Sequence, residues 1–131
     1  MIMHNQTLSN KIKILIVDDN RLIRHLLRLT LTDSRIELFE ADCGEKALPI
    51  ITDQNPDYVI LDVMMPGELN GFQICEMVKS WKDTQNCKII MLTASSQQED
   101  FEIGQKSGAD YYLTKPFSPK ELLSIIDLSD L

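Results

Sequence analysis

The chain has 131 residues, enough for one domain, and its 44% hydrophobic content is sufficient for a sizeable core. Twenty acidic against 13 basic residues give a net charge of −7, which repels phosphate backbones and argues against direct DNA or RNA binding. Apolar runs of about four or five residues are too short to cross a membrane, the start Met1 to Asn10 lacks the order of a signal peptide, and Cys43, Cys75 and Cys87 share no disulfide or zinc spacing, so a cytoplasmic protein with reduced thiols is expected.

Residues 1–10 are expected to form a flexible N-terminal segment, leaving residues 11–131 as the folded domain. Lys13-Ile14-Leu15-Ile16-Val17 is a β-branched apolar run ending at Asp18-Asp19 and predicts a strand buried on both faces. A helix follows over Leu22 to Leu31, where positions 22, 23, 26, 27, 30 and 31 make a mostly apolar stripe with Arg21, Arg24 and Arg28 largely to the other side. Ile36 to Ala41 predicts a second strand, and Gly44 to Thr52 a short helix that Pro49 weakens by removing a backbone donor. After Asn55-Pro56, the strand Tyr58 to Leu61 delivers Asp62 and breaks at Pro66-Gly67. Phe72 to Trp81 carries Ile74, Met77, Val78 and Trp81 at helical spacing. Lys88 to Leu92 is another strand, and Ser96-x-x-Glu99 resembles a capping box opening a helix in which Gly104 costs about 1 kcal/mol. Tyr111 to Leu113 makes a last strand, and Ser118-Pro119-Lys120-Glu121 starts a helix through about Leu128.

Five strands, each followed by a helix, predict a doubly wound α/β fold of (βα)5 type with one parallel sheet covered on both faces. In such a sheet all strand C-terminal ends share one rim, where ligands bind. Asp18, Asp19, Asp62, Thr93 and Lys115 are therefore expected to meet there, although they come from four separate segments. Three carboxylates at roughly 5 Å repel by about 3 kcal/mol per pair at an effective dielectric near 20, so they require cations. A hard divalent ion with few carboxylates and open oxygen positions describes Mg²⁺ better than Ca²⁺ or zinc. With Lys115 as a second positive point, the rim suits a phosphoryl group beside Asp62, which is a competent nucleophile for an aspartyl phosphate, with Thr93 as a hydroxyl donor.

Val17-Asp18-Asp19-Asn20, Leu61-Asp62-Val63-Met64-Met65-Pro66, Leu92-Thr93-Ala94 and Lys115-Pro116-Phe117 stand in this order at predicted strand ends. Together they resemble the receiver domain of two-component response regulators, over about residues 12 to 128. The resemblance implies a flavodoxin-like strand order 2-1-3-4-5. It also implies phosphorylation of Asp62 by a histidine kinase or histidine phosphotransfer protein, with Mg²⁺ held by Asp19, Asp62 and the Met64 backbone carbonyl and by Asp18 through water. Thr93 and Tyr112 are implied as switch residues that alter a partner-binding face on the fourth helix, fifth strand and fifth helix. Gly67-Glu68-Leu69-Asn70 makes the loop after Pro66 one residue longer than that family's loop.

Other readings remain at this point. Asp18-Asp19 alone would serve as a strand end and helix cap, Thr93 alone as a cap, and Tyr112 alone as packing. His4 and His25 read as solvated side chains, the methionine side chains of Met64 and Met65 as filler, and the cysteines as structural. A phosphohydrolase similar to the haloacid dehalogenase family would need a second aspartate where Met64 stands, and a non-phosphorylated scaffold would be expected to lack a pocket residue. With no output domain after the module, a single-domain regulator acting through contacts is the simplest expectation; a longer native chain is equally compatible.

Overall fold

Strand formation follows from runs that have no polar side to offer water. In a computed structural model, which describes residues 11–94 and 98–128, these runs form β1 (Ile12–Val17), β2 (Ile36–Ala41), β3 (Tyr58–Asp62), β4 (Lys88–Thr93) and β5 (Tyr111–Thr114). All pair in parallel in the order β2-β1-β3-β4-β5, with Ile16 opposite Ile60 and Leu61 opposite Met91 in the central ladder. Between them lie α1 (Arg21–Thr30), α2 (Gly44–Gln54), α3 (Gly71–Ser80), α4 (Gln98–Ser107) and α5 (Pro119–Ile125).

Alternate strand residues divide the core into two layers, as the two-residue period of a strand requires. Ile14, Ile16, Ile60, Ile90, Leu92 and Leu113 face Leu27 and Leu31 of the α1 region and Leu122 and Ile126 of the α5 region. Leu15, Val17, Val59, Leu61, Ile89 and Met91 face Ala47 and Ile51 of α2 and Ile74 and Val78 of α3. Cys75 and Cys87 are buried in this second layer, and burial raises both thiols, Cys87 to about 12, so neither is a reactive thiolate.

Local caps fix where helices begin. Asn20 Oδ1 accepts from the backbone N–H of Leu22 and Ile23, Asn70 and Gln73 form a reciprocal capping box, and Ser118 Oγ accepts from Glu121 N with Pro119 in the first turn. Asn55 ends α2 in the left-handed region at φ 46°.

Four expectations need correcting. First, α2 runs unbroken through Pro49 to Gln54, because Ala47 and Ile51 on either side of it are fully buried against the sheet. Second, the stripe on α1 splits: Leu27 and Leu31 are buried and Ile23 packs partly, whereas Leu22 and Leu26 face solvent, as does Leu29. Third, Arg24 folds back over the end of β1 instead of pointing outward, with its side chain 19% exposed. Fourth, α5 stops at Ile125, where Ile126 leaves helical geometry to bury its side chain. The capping box expected at Ser96 and the flexible segment expected at residues 1–10 lie outside the described residues.

Candidate functional site

The acid cluster is built from the ends of β1 and β3. Asp18 directly follows β1 and is fully buried; its Oδ1 accepts from Asn20 N at 2.8 Å, so the turn into α1 fixes the carboxylate's orientation. Its backbone carbonyl accepts from Arg24 Nη1 at 2.8 Å. Arg24 in turn lies 3.5 Å from Glu40, which Arg28 grips with bonds of 2.6 and 2.9 Å. That grip, mainly its hydrogen bond, holds the Glu40 carboxyl below its ordinary range and keeps it ionised. Asp19 is exposed at the mouth.

Asp62 is the last residue of β3 and only 3% exposed. Its carboxylate, with those of Asp18 and Asp19, offers oxygens that all lie within 4.8 Å of one another. Its Oδ1 accepts from Met64 N at 3.3 Å. Burial, followed by the charge of Asp18, pushes the Asp62 carboxyl up to about 7 against the pull of Lys115.

Lys115 reaches in from the end of β5. Its Nζ lies 3.2 Å from Asp62 Oδ1 and 3.0 Å from Asp18 Oδ2, an ion pair with each. Burial pulls this ammonium's pKa down, but the two carboxylates outweigh it and the net shift is upward. Lys115 N donates to the backbone carbonyl of Thr93 at 2.8 Å, which ties the ends of β4 and β5 together beside Asp62. Thr93 is 5% exposed.

The structure thus brings Asp18, Asp19, Asp62, Lys115 and Thr93 to one rim. Met64 also lies there, two residues past Asp62, and its side chain is 74% exposed, so it is not core filler. Tyr112 is on β5 away from the rim; its ring packs on the second core layer and against the backbone of Gly104 in α4. His25 is exposed beside Arg28, as read from the sequence. A hollow of about 450 Å³, lined by Asn55, Asp57, Asn86 and Lys88 among others, lies at the opposite rim and shares no residue with the acid cluster.

A cation suits this donor set. Three acids face one ammonium, and the fully buried Asp18 Oδ2 has no hydrogen bond among the described residues. All the candidate ligands are oxygens, the set a hard divalent ion prefers.

Sequence reasoning missed two residues that shape this rim. One is Arg24, which no periodicity distinguishes from its neighbours. The other is Gly71, where a Cβ would come within 2.9 Å of Val63 Cα and closer still to the Asp62 carbonyl, so only glycine lets α3 start against the end of β3.

Residues 14–127 match the family model for the response regulator receiver domain. The transcriptional regulatory protein ResD of Bacillus subtilis is 39% identical over 115 residues, covering 88% of this chain and 46% of that protein. The phosphate regulon transcriptional regulatory protein PhoB of Pseudomonas aeruginosa is 40% identical over 111 residues, 85% of this chain and 48% of that protein. The chain therefore spans about half the length of the curated relatives it matches. Among solved structures, chemotaxis protein CheY4 of Vibrio cholerae superposes with a TM-score of 0.81 at 34% identity, covering 88% of this chain and 95% of that one.

Proposed function

The chain belongs to the response regulator receiver family, and from that premise we propose that it is a phosphoacceptor switch in which Asp62 takes the phosphoryl group. The observation that carries this reading is the placing of Lys115 Nζ at 3.0 and 3.2 Å from Asp18 and Asp62 within a cluster of three carboxylates. The phosphodonor is a phosphohistidine on a histidine kinase or phosphotransfer protein. An Asp62 oxygen forms the new O–P bond as the donor's N–P bond breaks, and the histidine nitrogen keeps the electron pair. Once ionised, the Asp62 carboxylate needs no general base, so the surrounding groups only orient it and balance charge.

Lys115 stays beside the acceptor oxygen and meets the added negative charge. Asp19, Asp62 and the Met64 carbonyl would hold Mg²⁺ directly, with Asp18 acting through water. When bound, Mg²⁺ supplies positive charge to the acids and to the phosphoryl oxygens. Thr93 donates its hydroxyl to the modified Asp62, and Tyr112 moves with it to alter the face formed by α4, β5 and α5. Support for that face as the partner surface comes from Ile103, Tyr111 and Leu123, one from each element, which are all exposed apolar side chains. The partner is a protein, and the net charge of −7 disfavours direct nucleic-acid contact by this chain.

A cytoplasmic location belongs to the same reading. Among the described residues, no helix is long and apolar enough to cross a membrane. A switch is favoured over a phosphohydrolase because the position two residues past Asp62, where that chemistry needs an acid, holds Met64.

Incubation with acetyl phosphate and Mg²⁺ followed by intact-mass measurement tests the proposal. One added phosphoryl group is expected on the wild type and none on Asp62→Asn. Equal labelling of both proteins, or catalytic turnover of a chromogenic phosphate ester, would overturn it.

A further inference from the structure

The chain between Asp62 and the first turn of α3, residues 63–70, carries the Met64 backbone, whose N–H donates to Asp62 Oδ1 at 3.3 Å. Both ends are pinned: Val63 N donates to Leu92 O at 3.1 Å and Gly71 N to Val63 O at 3.0 Å. Met65 and Leu69 pack partly against the core, but the backbone between them, Pro66 to Glu68, has no apolar anchor there. Among the described residues, the side chain that hydrogen-bonds this middle stretch comes from another element. Glu45, in the first turn of α2, accepts the Glu68 N–H on Oε2 at 3.0 Å.

Backbone geometry around this contact is shaped to admit it. Gly67 lies at φ 104°, and a Cβ there would fall 2.9 Å from Glu45 Oε1, so the turn requires glycine both for its conformation and for the carboxylate's approach. Next to Glu45, Gly44 lies close enough to Leu69 that a Cβ would meet the Leu69 carbonyl at 3.2 Å. The first turn of α2 therefore rests on the loop through two consecutive residues.

We propose that Glu45 is a positioning residue for the phosphoacceptor site: its carboxylate clamps the long loop after Pro66 and thereby sets the position of the Met64 backbone beside Asp62. The inference rests on the phosphoacceptor reading above. Without the clamp, the middle of the loop swings outward, the Met64 backbone shifts beside Asp62, and water reaches the modified Asp62 more readily.

A carboxylate in the first turn of a helix also stabilises that helix through its dipole, and substitutions separate the two roles. Glu45→Gln keeps an acceptor of the same reach and loses the charge. Glu45→Asp keeps the charge but is one methylene too short to reach Glu68. Clamping predicts that Glu45→Gln resembles the wild type and that Glu45→Asp resembles Glu45→Ala; the dipole role predicts the reverse.

Three measurements on the full chain serve as readouts: hydrogen exchange at the Glu68 amide, the Mg²⁺ dissociation constant, and the lifetime of the phosphorylated protein by intact mass. Glu45→Ala and Glu45→Asp are expected to speed Glu68 exchange, weaken Mg²⁺ binding and shorten the lifetime, each by about threefold to tenfold, the range for the net contribution of an ordinary hydrogen bond. A wild-type-like Glu45→Asp protein would overturn the proposal. So would faster Glu68 exchange with Mg²⁺ affinity and lifetime unchanged. If the wild type accepts no phosphoryl group at all, the phosphoacceptor reading fails, and the exchange and Mg²⁺ titrations still decide whether Glu45 clamps the loop.

Discussion

Lys115 Nζ stands between two buried carboxylates, 3.0 Å from Asp18 and 3.2 Å from Asp62, and is the only cation the described residues place in contact with both. Its removal leaves two buried acids facing each other. Loss of one partner of a buried pair costs about 3–5 kcal/mol, and the 21% exposure of the Lys115 side chain places this case below that range, at about 1–3 kcal/mol. Lys115→Met is therefore expected to lower the Tm in EDTA. The same substitution removes a charge that competes with a divalent ion, so Mg²⁺ should bind several-fold more tightly and restore much of the loss. Thermal melts with and without Mg²⁺ check both halves; an unchanged Tm in EDTA contradicts the first.

In the metal-free protein the pKa of Asp62 runs opposite to most carboxylates. Its folded value, about 7, lies above the ordinary 3.8. Below about pH 4 both folded and unfolded chains hold the proton; as pH rises the unfolded chain releases it first, so stability from this group is lost up to about pH 7. Measured in EDTA, the Tm of the wild type minus that of Asp62→Asn is expected to fall between about pH 4 and pH 7 and then to level off. Glu40 and Asp42, lowered chiefly by hydrogen bonds from Arg28 and Lys46, act in the opposite direction but cancel in the difference. A flat difference would show that Asp62 titrates normally.

Gly104 should reverse the usual sign of a glycine-to-alanine change in a helix. Alanine is ordinarily better by about 1 kcal/mol. Here the new Cβ would lie 2.6 Å from Tyr112 Cζ and nearer still to other atoms of the phenol, so the ring must leave its seat. Gly104→Ala is expected to destabilise the wild type by about 1–3 kcal/mol, the cost of overpacking. In a Tyr112→Ala background it should instead stabilise by up to about 1 kcal/mol. Denaturant melts of the four proteins give the coupling; additive effects would mean that the ring does not depend on the glycine.

Gly71→Ala is expected to be harsher, because the atoms its Cβ would meet are the backbone of Asp62 and Val63, which cannot rotate away. A loss of about 1–3 kcal/mol or more should accompany weaker Mg²⁺ binding, since α3 can relieve the contact only by moving the end of β3. Urea melts paired with a Mg²⁺ titration test this; lost stability with unchanged affinity would separate the two.

Most of the architecture was legible because buried parallel strands are written as short apolar runs, and because one topological rule sends every strand end to the same rim. Asp18, Asp62 and Lys115 were placed together by that rule alone. It could not distinguish Asp18, fully buried, from Asp19, exposed one residue later, since that depends on how Asn20 turns into α1. Leu22 and Leu26 followed a helical period yet remained in solvent, because periodicity identifies a face without showing how wide a strip the sheet covers. Gly104 reads as a defect in its helix because the Tyr112 ring that needs the space belongs to another element. Glu45 was invisible because its partner, Glu68, is distant in sequence and contributes only a backbone N–H, which every residue but proline possesses.

The strand β5 is only four residues long, yet it faces three environments at once. Tyr111 looks out to solvent at 39% exposure, Tyr112 looks inward to Gly104, and just past the strand's end Lys115 looks up at the acid rim. A perturbation of the lysine has less than one strand's length to travel before it reaches a side chain that a visiting molecule can touch. In the proposed switch, signal and readout would be neighbours on a single ribbon, with no long relay through the interior.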